Sequence, residues 1–316
     1  MKTMIIMATY NGVKHLEPQL DSLRLQTKAA DAVLFRDDAS TDGTAAFLQT
    51  YVEKYGLTDW KVLQNQENIG WRKNFRQLMK DAEQSSADII FFSDQDDSWA
   101  ADKIERQLTI LSEHPEIELL TTDFQVKKTD SRATENHHYH SFPLADKEEM
   151  SQFPARVLYK SVRPGWTMAV RRRLLTETLA AWTNFDAVEV NHDALLEGIA
   201  GLLGTGYNLN RQLGEHLRHG ENASGRPVVS LKSSQAVHIK ALYDYYGFFS
   251  IMAAVLSARN SERAASVQAE ANFYQRRYAA ALTRKKSVIF RQVLRDWKCY
   301  ENNSGRLRDV IFAFKK

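Results

Sequence analysis

Ile89-Ile90-Phe91-Phe92-Ser93-Asp94-Gln95-Asp96-Asp97-Ser98-Trp99 decides the fold. Four apolar residues end abruptly in acids, the pattern of a strand buried on both faces that emerges into a polar turn. The same arrangement occurs earlier, where Ala32-Val33-Leu34-Phe35 leads into Asp37-Asp38-Ala39-Ser40-Thr41-Asp42-Gly43-Thr44. Carboxylates at such strand ends lie in the crevice where open α/β sheets bind ligands. Outward from these two runs, residues 4–8 and 60–64 read as further strands. Helical spacing marks a segment holding Gln19, Leu20, Leu23 and Leu25, then residues 45–55, 71–83 and 103–113. Strands alternating with helices predict an α/β fold with a mainly parallel sheet.

Further along, 130–147 is polar and histidine-rich (His137, His138, His140) and reads as a loop. Residues 157–159 and 167–170 look like strands, and 173–182 and 194–203 like helices. From Ser233 the pattern turns to nearly continuous helix without proline. This predicts a catalytic domain over 1–230 and a helical region over 231–316 that packs, dimerises or meets a membrane surface.

The 316 residues suffice for one large domain or a domain with an appendage. The single cysteine, Cys299, excludes an internal disulfide and fits a reducing compartment. The longest apolar stretch, 247–256, is shorter than the roughly 20 residues that span a bilayer. A cytoplasmic protein, peripheral on the inner face of the plasma membrane, is the expectation. The net charge of +3 conceals an asymmetry, since twelve basic residues face four acidic ones from Glu270 onward. Such a tail selects an anionic partner.

Asp94 and Asp96, one residue apart on a bend, are hard oxygen ligands for Mg2+ or Mn2+, with water and phosphate oxygens completing the shell. The competing reading is an acidic turn in which Asp97 or Ser98 caps the next helix. An EF-hand is disfavoured because Trp99 stands where that loop needs glycine. Asp37-Asp38 suits a βα turn, but two consecutive aspartates exceed what capping requires, and one can accept a hydrogen bond from a nucleobase N–H. Ala8-Thr9-Tyr10-Asn11-Gly12 offers backbone N–H groups and an aromatic ring. Asn68-Ile69-Gly70-Trp71-Arg72 opens a helix at which Gly70 and Arg72 can approach an anion.

Taken together, Ala8-Thr9-Tyr10-Asn11, Asp37-Asp38-x-Ser40-x-Asp42-Gly43-Thr44, Asn68-x-Gly70 and Asp94-x-Asp96-Asp97 resemble the family 2 glycosyltransferases of GT-A fold over roughly the first 220 residues. The resemblance implies a nucleotide-sugar donor read at its base by Asp38, with Thr9, Tyr10, Asn11, Asn68, Gly70, Arg72 and Asp94 around it. It implies Mg2+ or Mn2+ on Asp96 with Asp94 beside it, and single-displacement inversion with Asp193 of Asn191-His192-Asp193 as general base. Asp193 as a helix cap is the competing reading. Gly165, Trp166 and His192 are implied around the acceptor, and Arg218 and His219 near the diphosphate.

The Gln-x-x-Arg-Trp motif of processive synthases is absent. The Asp94-Gln95-Asp96-Asp97-Ser98-Trp99 form and His192-Asp193 look like the rhamnosyltransferases of Gram-positive rhamnose-rich cell-wall polysaccharides. These imply dTDP-L-rhamnose, or alternatively a UDP-sugar, and a lipid-linked saccharide acceptor. A haloacid-dehalogenase-type phosphohydrolase would need its Asp-x-Asp after the first strand. A nucleotidyltransferase would need a glycine-rich N-terminal loop. A catalytically inactive nucleotide-sugar-binding scaffold is opposed by the joint presence of Asp38, Asp94, Asp96 and Asp193.

In the C-terminal region, Tyr243, Tyr245, Tyr246, Phe248, Phe249 and Met252 form an aromatic block expected to pack on the catalytic domain or on a second copy, which makes a homodimer an expectation too. Val288, Ile289, Val293 and Trp297, with Arg291, Arg295 and Lys298 between them, read as a basic amphipathic helix for an anionic membrane. Only charge speaks for nucleic acid, so none is expected.

Overall fold

The computed structural model of the chain describes residues 1–128, 139–140, 142–144, 149–155, 161–218 and 233–315. Two compact units emerge, one of residues 1–179 and 191–222, the other of 180–190 and 223–316. The expected boundary at 230 and the strand expected at 157–159 lie outside the described residues, as do His219 and most of the 130–147 excursion.

The first unit opens with β1 (Thr3–Thr9), α1 (Val13–Arg24), β2 (Ala32–Asp37), α2 (Thr44–Lys54), β3 (Trp60–Gln64), α3 (Trp71–Glu83) and β4 (Ile89–Ser93). It continues with β5 (Asp97–Trp99), α4 (Lys103–Glu113), β6 (Leu119–Lys128), β7 (Met150–Gln152), β8 (Ala169–Arg171), α5 (Arg172–Trp182, shared with the second unit), α6 (His192–Leu203) and β9 (Gly206–Arg218). One sheet runs in the order β3-β2-β1-β4-β8-β6-β9-β5, with β7 on β9. The first four strands pair in parallel, while β8 is antiparallel to both neighbours. Thus β1, β2 and β4 all present their C-terminal ends on one edge.

Burial explains why these strands form. Ile5, Met7, Val33, Phe35, Ile89 and Phe91 are buried in one core cluster with Leu16, Leu20 and Leu23 of α1 and Ile104, Leu108 and Leu111 of α4. Leu25, expected on the buried face of the first helix, instead follows its end and is exposed. Residues β5, β6, β7 and β9 were not expected as strands.

The second unit holds α7 (Gln235–Ala258), α8 (Ala264–Leu282), α9 (Lys286–Arg295) and α10 (Asn303–Ala313). Part of the aromatic block packs within this unit. Tyr245 and Phe249 stack on Tyr274 of α8 at 4.9 and 5.1 Å, and Tyr243 meets Tyr278 at 5.2 Å. The 180–190 segment joins α7 where Gly247 lies so close that a Cβ would sit 2.2 Å from Val188. Contrary to the reading of the 247–256 run, α7 as a whole is long and apolar enough by length and composition to cross a membrane, with mean hydropathy 1.2. However, 61% of that window is buried inside the protein, as in a core helix.

A buried ion network ties this unit together. Asp309 accepts from Arg277 Nε and Nη2, both at 2.8 Å, from Tyr300 Oη at 2.6 Å and from His238 Nε2 at 3.1 Å. Burial alone would raise the Asp309 carboxyl, but the bonds from His238 and Arg277 and the Arg277 charge outweigh it and hold it well below the usual carboxylate range.

Candidate active site

Four strand-end loops are laced together at the edge where β1, β2 and β4 finish. After β1, Asn11 adopts φ 46°, donates its N–H to Ser40 Oγ at 2.8 Å and accepts from Thr41 N at 2.9 Å through Oδ1. Gly12 N donates to Thr44 Oγ1 at 2.9 Å. The first and second loops are thereby fixed to each other. Tyr10 leaves its ring exposed, while its backbone forms a reciprocal pair with Gln95, N–H to Oε1 at 2.9 Å and carbonyl from Nε2 at 3.1 Å. This clamp joins the first loop to the acidic loop after β4.

The aspartate pair divides its labour. Asp37, fully buried, accepts from Thr9 Oγ1 at 3.1 Å, Ser40 Oγ at 2.6 Å and Ser40 N at 2.9 Å. Asp38 reaches the third loop, accepting from Asn65 Nδ2 at 2.8 Å, Ile69 N at 2.9 Å and Gly70 N at 2.8 Å. Gly70 has φ 84°, a backbone conformation that favours glycine, and also donates to Asn68 Oδ1 at 3.0 Å. Gly43 is the N-cap of α2, and Asp42, one residue before it, closes the turn by accepting from Thr44 N at 3.0 Å.

Arg72, at the start of α3, stacks on Trp71 and donates Nε to Asn191 Oδ1 at 2.8 Å. That bond carries the lacing on to α6, whose first turn contains Asp193. The Asp193 carboxylate accepts from Ala194 N at 2.7 Å, but the N-cap of α6 is Asn191, so Asp193 stands inside the first turn and is not the helix cap.

His192 is 3% exposed and packed between Phe92, stacked at 5.1 Å, and Phe75 at 4.1 Å. Neither ring nitrogen has a hydrogen-bond partner among the described residues, and burial lowers its pKa to about 4. Gly165 lies against it, since a Cβ there would meet His192 Nε2 at 2.7 Å and Asp193 Cβ at 3.6 Å. Trp166 is wholly buried and stacked on His216 at 6.4 Å, so it reaches the site through that ring.

Asp97 does not cap a helix. It opens β5, is fully buried, and meets His216 Nδ1 of β9 at 2.6 Å. This fastens one end of the Asp94-Gln95-Asp96 loop to β9, while Gln95 fastens its middle to β1. Asp94, partly exposed at the strand end, is pushed well above the usual carboxylate range by desolvation, then by the charges of Asp97 and Asp96; His216 opposes this and Asp193 adds to it. Asp94, Asp96, Asp97 and Asp193 therefore share one neighbourhood. The Tyr139 phenol belongs to it as well, raised by burial and by Asp193 and Asp94, with the buried Arg218 acting the other way.

Several of these residues escaped the sequence reading: Gln95, Asn191, Tyr139 and His216, and a buried network behind the site. There Arg163 donates to Asp123 Oδ1 at 2.5 Å, and Glu197, raised by burial, accepts from Arg163 N at 3.0 Å. Glu197 stands one helical turn beyond Asp193, a spacing that signals a shared helix face.

Among the described residues no group of three or more His, Cys, Asp or Glu is set out to hold a metal ion by itself. A hard divalent ion at a phosphate site needs only one or two carboxylates. Asp94 and Asp96 fit that lesser demand, and the accumulated negative charge that raises Asp94 is what a cation would relieve.

Residues 4–178 match the family model described as glycosyl transferase family 2. The chain belongs to that family. Similar to it is the dTDP-rhamnosyl transferase RfbG of Shigella flexneri, 37% identical over 106 residues, 33% of this chain. The match spans 36% of that relative's own length. Among solved structures, S. aureus TarS residues 1–349 in complex with UDP-GlcNAc is similar in fold, with a TM-score of 0.55 and 17% identity, over 99% of this chain and 89% of that one. GalNAc-T7 with UDP, GalNAc and Mn2+ gives a TM-score of 0.53 at 13% identity, over 80% of this chain and 51% of that one. The family's GT-A architecture is met here: a mainly parallel sheet flanked by helices, followed by C-terminal helices.

Proposed function

We propose that the chain is an inverting, divalent-metal-dependent glycosyltransferase that moves L-rhamnose from dTDP-L-rhamnose to a lipid-linked saccharide. The observation that carries the reading is the convergence of Asp193, on the first turn of α6, with the Asp94-Gln95-Asp96 loop at the parallel strand ends. Asp193 takes the proton of the acceptor hydroxyl. The acceptor oxygen then forms its bond to the anomeric carbon as the bond to the diphosphate oxygen breaks on the opposite face, and the nucleoside diphosphate leaves with that electron pair. Asp96 and Asp94 would hold Mg2+ or Mn2+, which would supply positive charge to the leaving diphosphate.

The exposed Tyr10 ring and the Asp38, Asn68 and Gly70 turn receive the nucleoside, and Asp38 accepts from the base N3–H. Thr9 and Asn11 hold that turn in place, and Arg72 and Arg218 face the phosphates. His192, neutral and packed between aromatic rings, fixes Asp193 on its helix, while Gly165 leaves room beside it and Trp166 supports His216. The sugar is argued from RfbG, named a dTDP-rhamnosyl transferase. A UDP-sugar is the second reading, favoured by the UDP-GlcNAc of TarS and because uracil and thymine present the same N3–H.

The test is release of nucleoside diphosphate from dTDP-L-rhamnose, UDP-glucose and UDP-N-acetylglucosamine, with Mn2+ or EDTA and a lipid-linked acceptor mimic. Metal-dependent turnover of dTDP-L-rhamnose is expected. Turnover of a UDP-sugar alone overturns rhamnose, and no turnover of any donor overturns the enzyme in favour of a binding protein.

A further inference from the structure

The C-terminal helices carry a surface that sugar transfer does not use. On α9 the apolar face expected to meet a membrane is in fact core: Ile289 and Val293 are buried with Phe273, Tyr300 and Ala313. Phe290 and Leu294, four residues apart on α9, are exposed instead, Leu294 at 71%, and Trp297, just past the helix end, is the one residue of the expected face that is exposed. On α10, Leu307 and Phe314 repeat the pattern seven residues apart, 60% and 59% exposed. The two stripes adjoin at both ends. Phe290 meets Phe314 edge-on at 6.1 Å, and Arg306, beside Leu307, lies over Trp297 at 4.2 Å and donates to its carbonyl at 2.7 Å. Two helices thus present one apolar strip where single exposed apolar residues would be ordinary.

Cations rim that strip. From Arg284 to Lys316 there are ten basic and three acidic residues. Two of the acids are buried and paired: Asp296 with Arg276 at 2.9 Å and Arg295 at 3.3 Å, and Asp309 with Arg277 at 2.8 Å. Only Glu301 remains to offset the basic side chains on the surface. Lys286 lies 4.3 Å from the Phe314 ring, and Arg291 and Lys298 are exposed beside Leu294 and Trp297.

We propose that this face of α9 and α10 docks on an anionic lipid bilayer, with Leu294, Trp297, Leu307 and Phe314 entering the headgroup boundary and Lys286, Arg291 and Lys298 on the lipid phosphates. Exposed aliphatic and tryptophan side chains within a basic rim are what an interfacial helix requires. A second copy of the chain is a poorer occupant, because this face paired with itself would bring like charges together. The surface stands on the second unit alone and does not depend on which sugar is moved.

The test is co-sedimentation of the full chain with vesicles of phosphatidylcholine alone or with 30% phosphatidylglycerol as a chosen mixture, about 0.1 M and 0.5 M salt. Binding to the anionic vesicles, weakened at the higher salt, is expected. Leu294→Ser with Trp297→Ala should reduce it at least about tenfold, and Arg291→Glu with Lys298→Glu by a comparable factor. These side chains are exposed, so both variants should keep the wild-type melting temperature, and both should still release nucleoside diphosphate from the free donor. No binding to anionic vesicles, or binding that neither pair changes, overturns the proposal. So does a dimer in sedimentation velocity that Leu294→Ser and Trp297→Ala dissolve while vesicles go unbound.

Discussion

Replacing Gly12 with alanine would place its Cβ 2.3 Å from Gln95 Oε1 and 2.4 Å from Gln95 Cδ. The Gly12 backbone, at φ −112°, accepts alanine without strain, and the nearest conflict is with that side chain. Gln95 must swing away and forfeit both bonds to the Tyr10 backbone. These are solvent-accessible bonds, worth about 1 kcal/mol each. The alanine returns about 0.5 kcal/mol by restricting the unfolded chain. Gly12→Ala should therefore cost about 1.5 kcal/mol in the native background. In a Gln95→Ala background the clash is gone, and the same change should be neutral or stabilising by about 0.5 kcal/mol. Native-state amide exchange at β1 and β4 reads the stability of the first unit in all four proteins of the cycle. Equal costs in the two backgrounds would refute the Gln95 clamp.

His216→Ala removes the ring 2.6 Å from the buried Asp97 carboxylate and should cost about 2–4 kcal/mol, seen in the same exchange experiment. His192 is neutral in the fold with a pKa lowered to about 4 from 6.5, so the unfolded chain binds its proton first as pH falls. Stability should thus drop by about 3 kcal/mol between pH 6.5 and 4, and His192→Leu should flatten that slope in urea titrations. Asp309, held below the usual range, contributes stability that is present above its unfolded pKa and lost as pH falls through the folded value. Asp309→Asn should cost about 3 kcal/mol at neutral pH and blunt the acid lability of α7, α8 and α10 in amide exchange. Asp96→Ala should abolish the Mn2+-dependent part of nucleoside diphosphate binding in calorimetry, leaving metal-free binding within about twofold.

The sequence exposed the parallel half of the sheet because β1, β2 and β4 are sealed on both faces and read as unbroken apolar runs. It concealed β6 and β9 because many of their buried positions are polar, among the few leucines that reach the core. Asn208 is buried on Asp123 at 3.1 Å, and Asn210 on Ser151 at 2.9 Å, pairings that no hydrophobic period reveals. Within the acidic motif, Asp94 and Asp96 were legible as an oxygen pair. Asp97 looked like a cap because its partner His216 is 119 residues away. The α9 face was misassigned for a related reason. Apolar residues occur on two sides of that helix, and only packing against Phe273 and Tyr300 tells Ile289 and Val293 from Phe290 and Leu294. Asp193 and Arg218 were named from their motifs, whereas Tyr139 joined them only in three dimensions.

The central claim is that Asp193 acts as the base beside the acidic loop. It is tested most directly by Asp193→Asn, with kcat measured at saturating donor and acceptor and nucleoside diphosphate affinity measured on the same preparation. A fall in kcat of at least about a hundredfold is expected, with the affinity within about twofold of wild type. A kcat retained within about threefold would contradict it, because the proton would then have another acceptor.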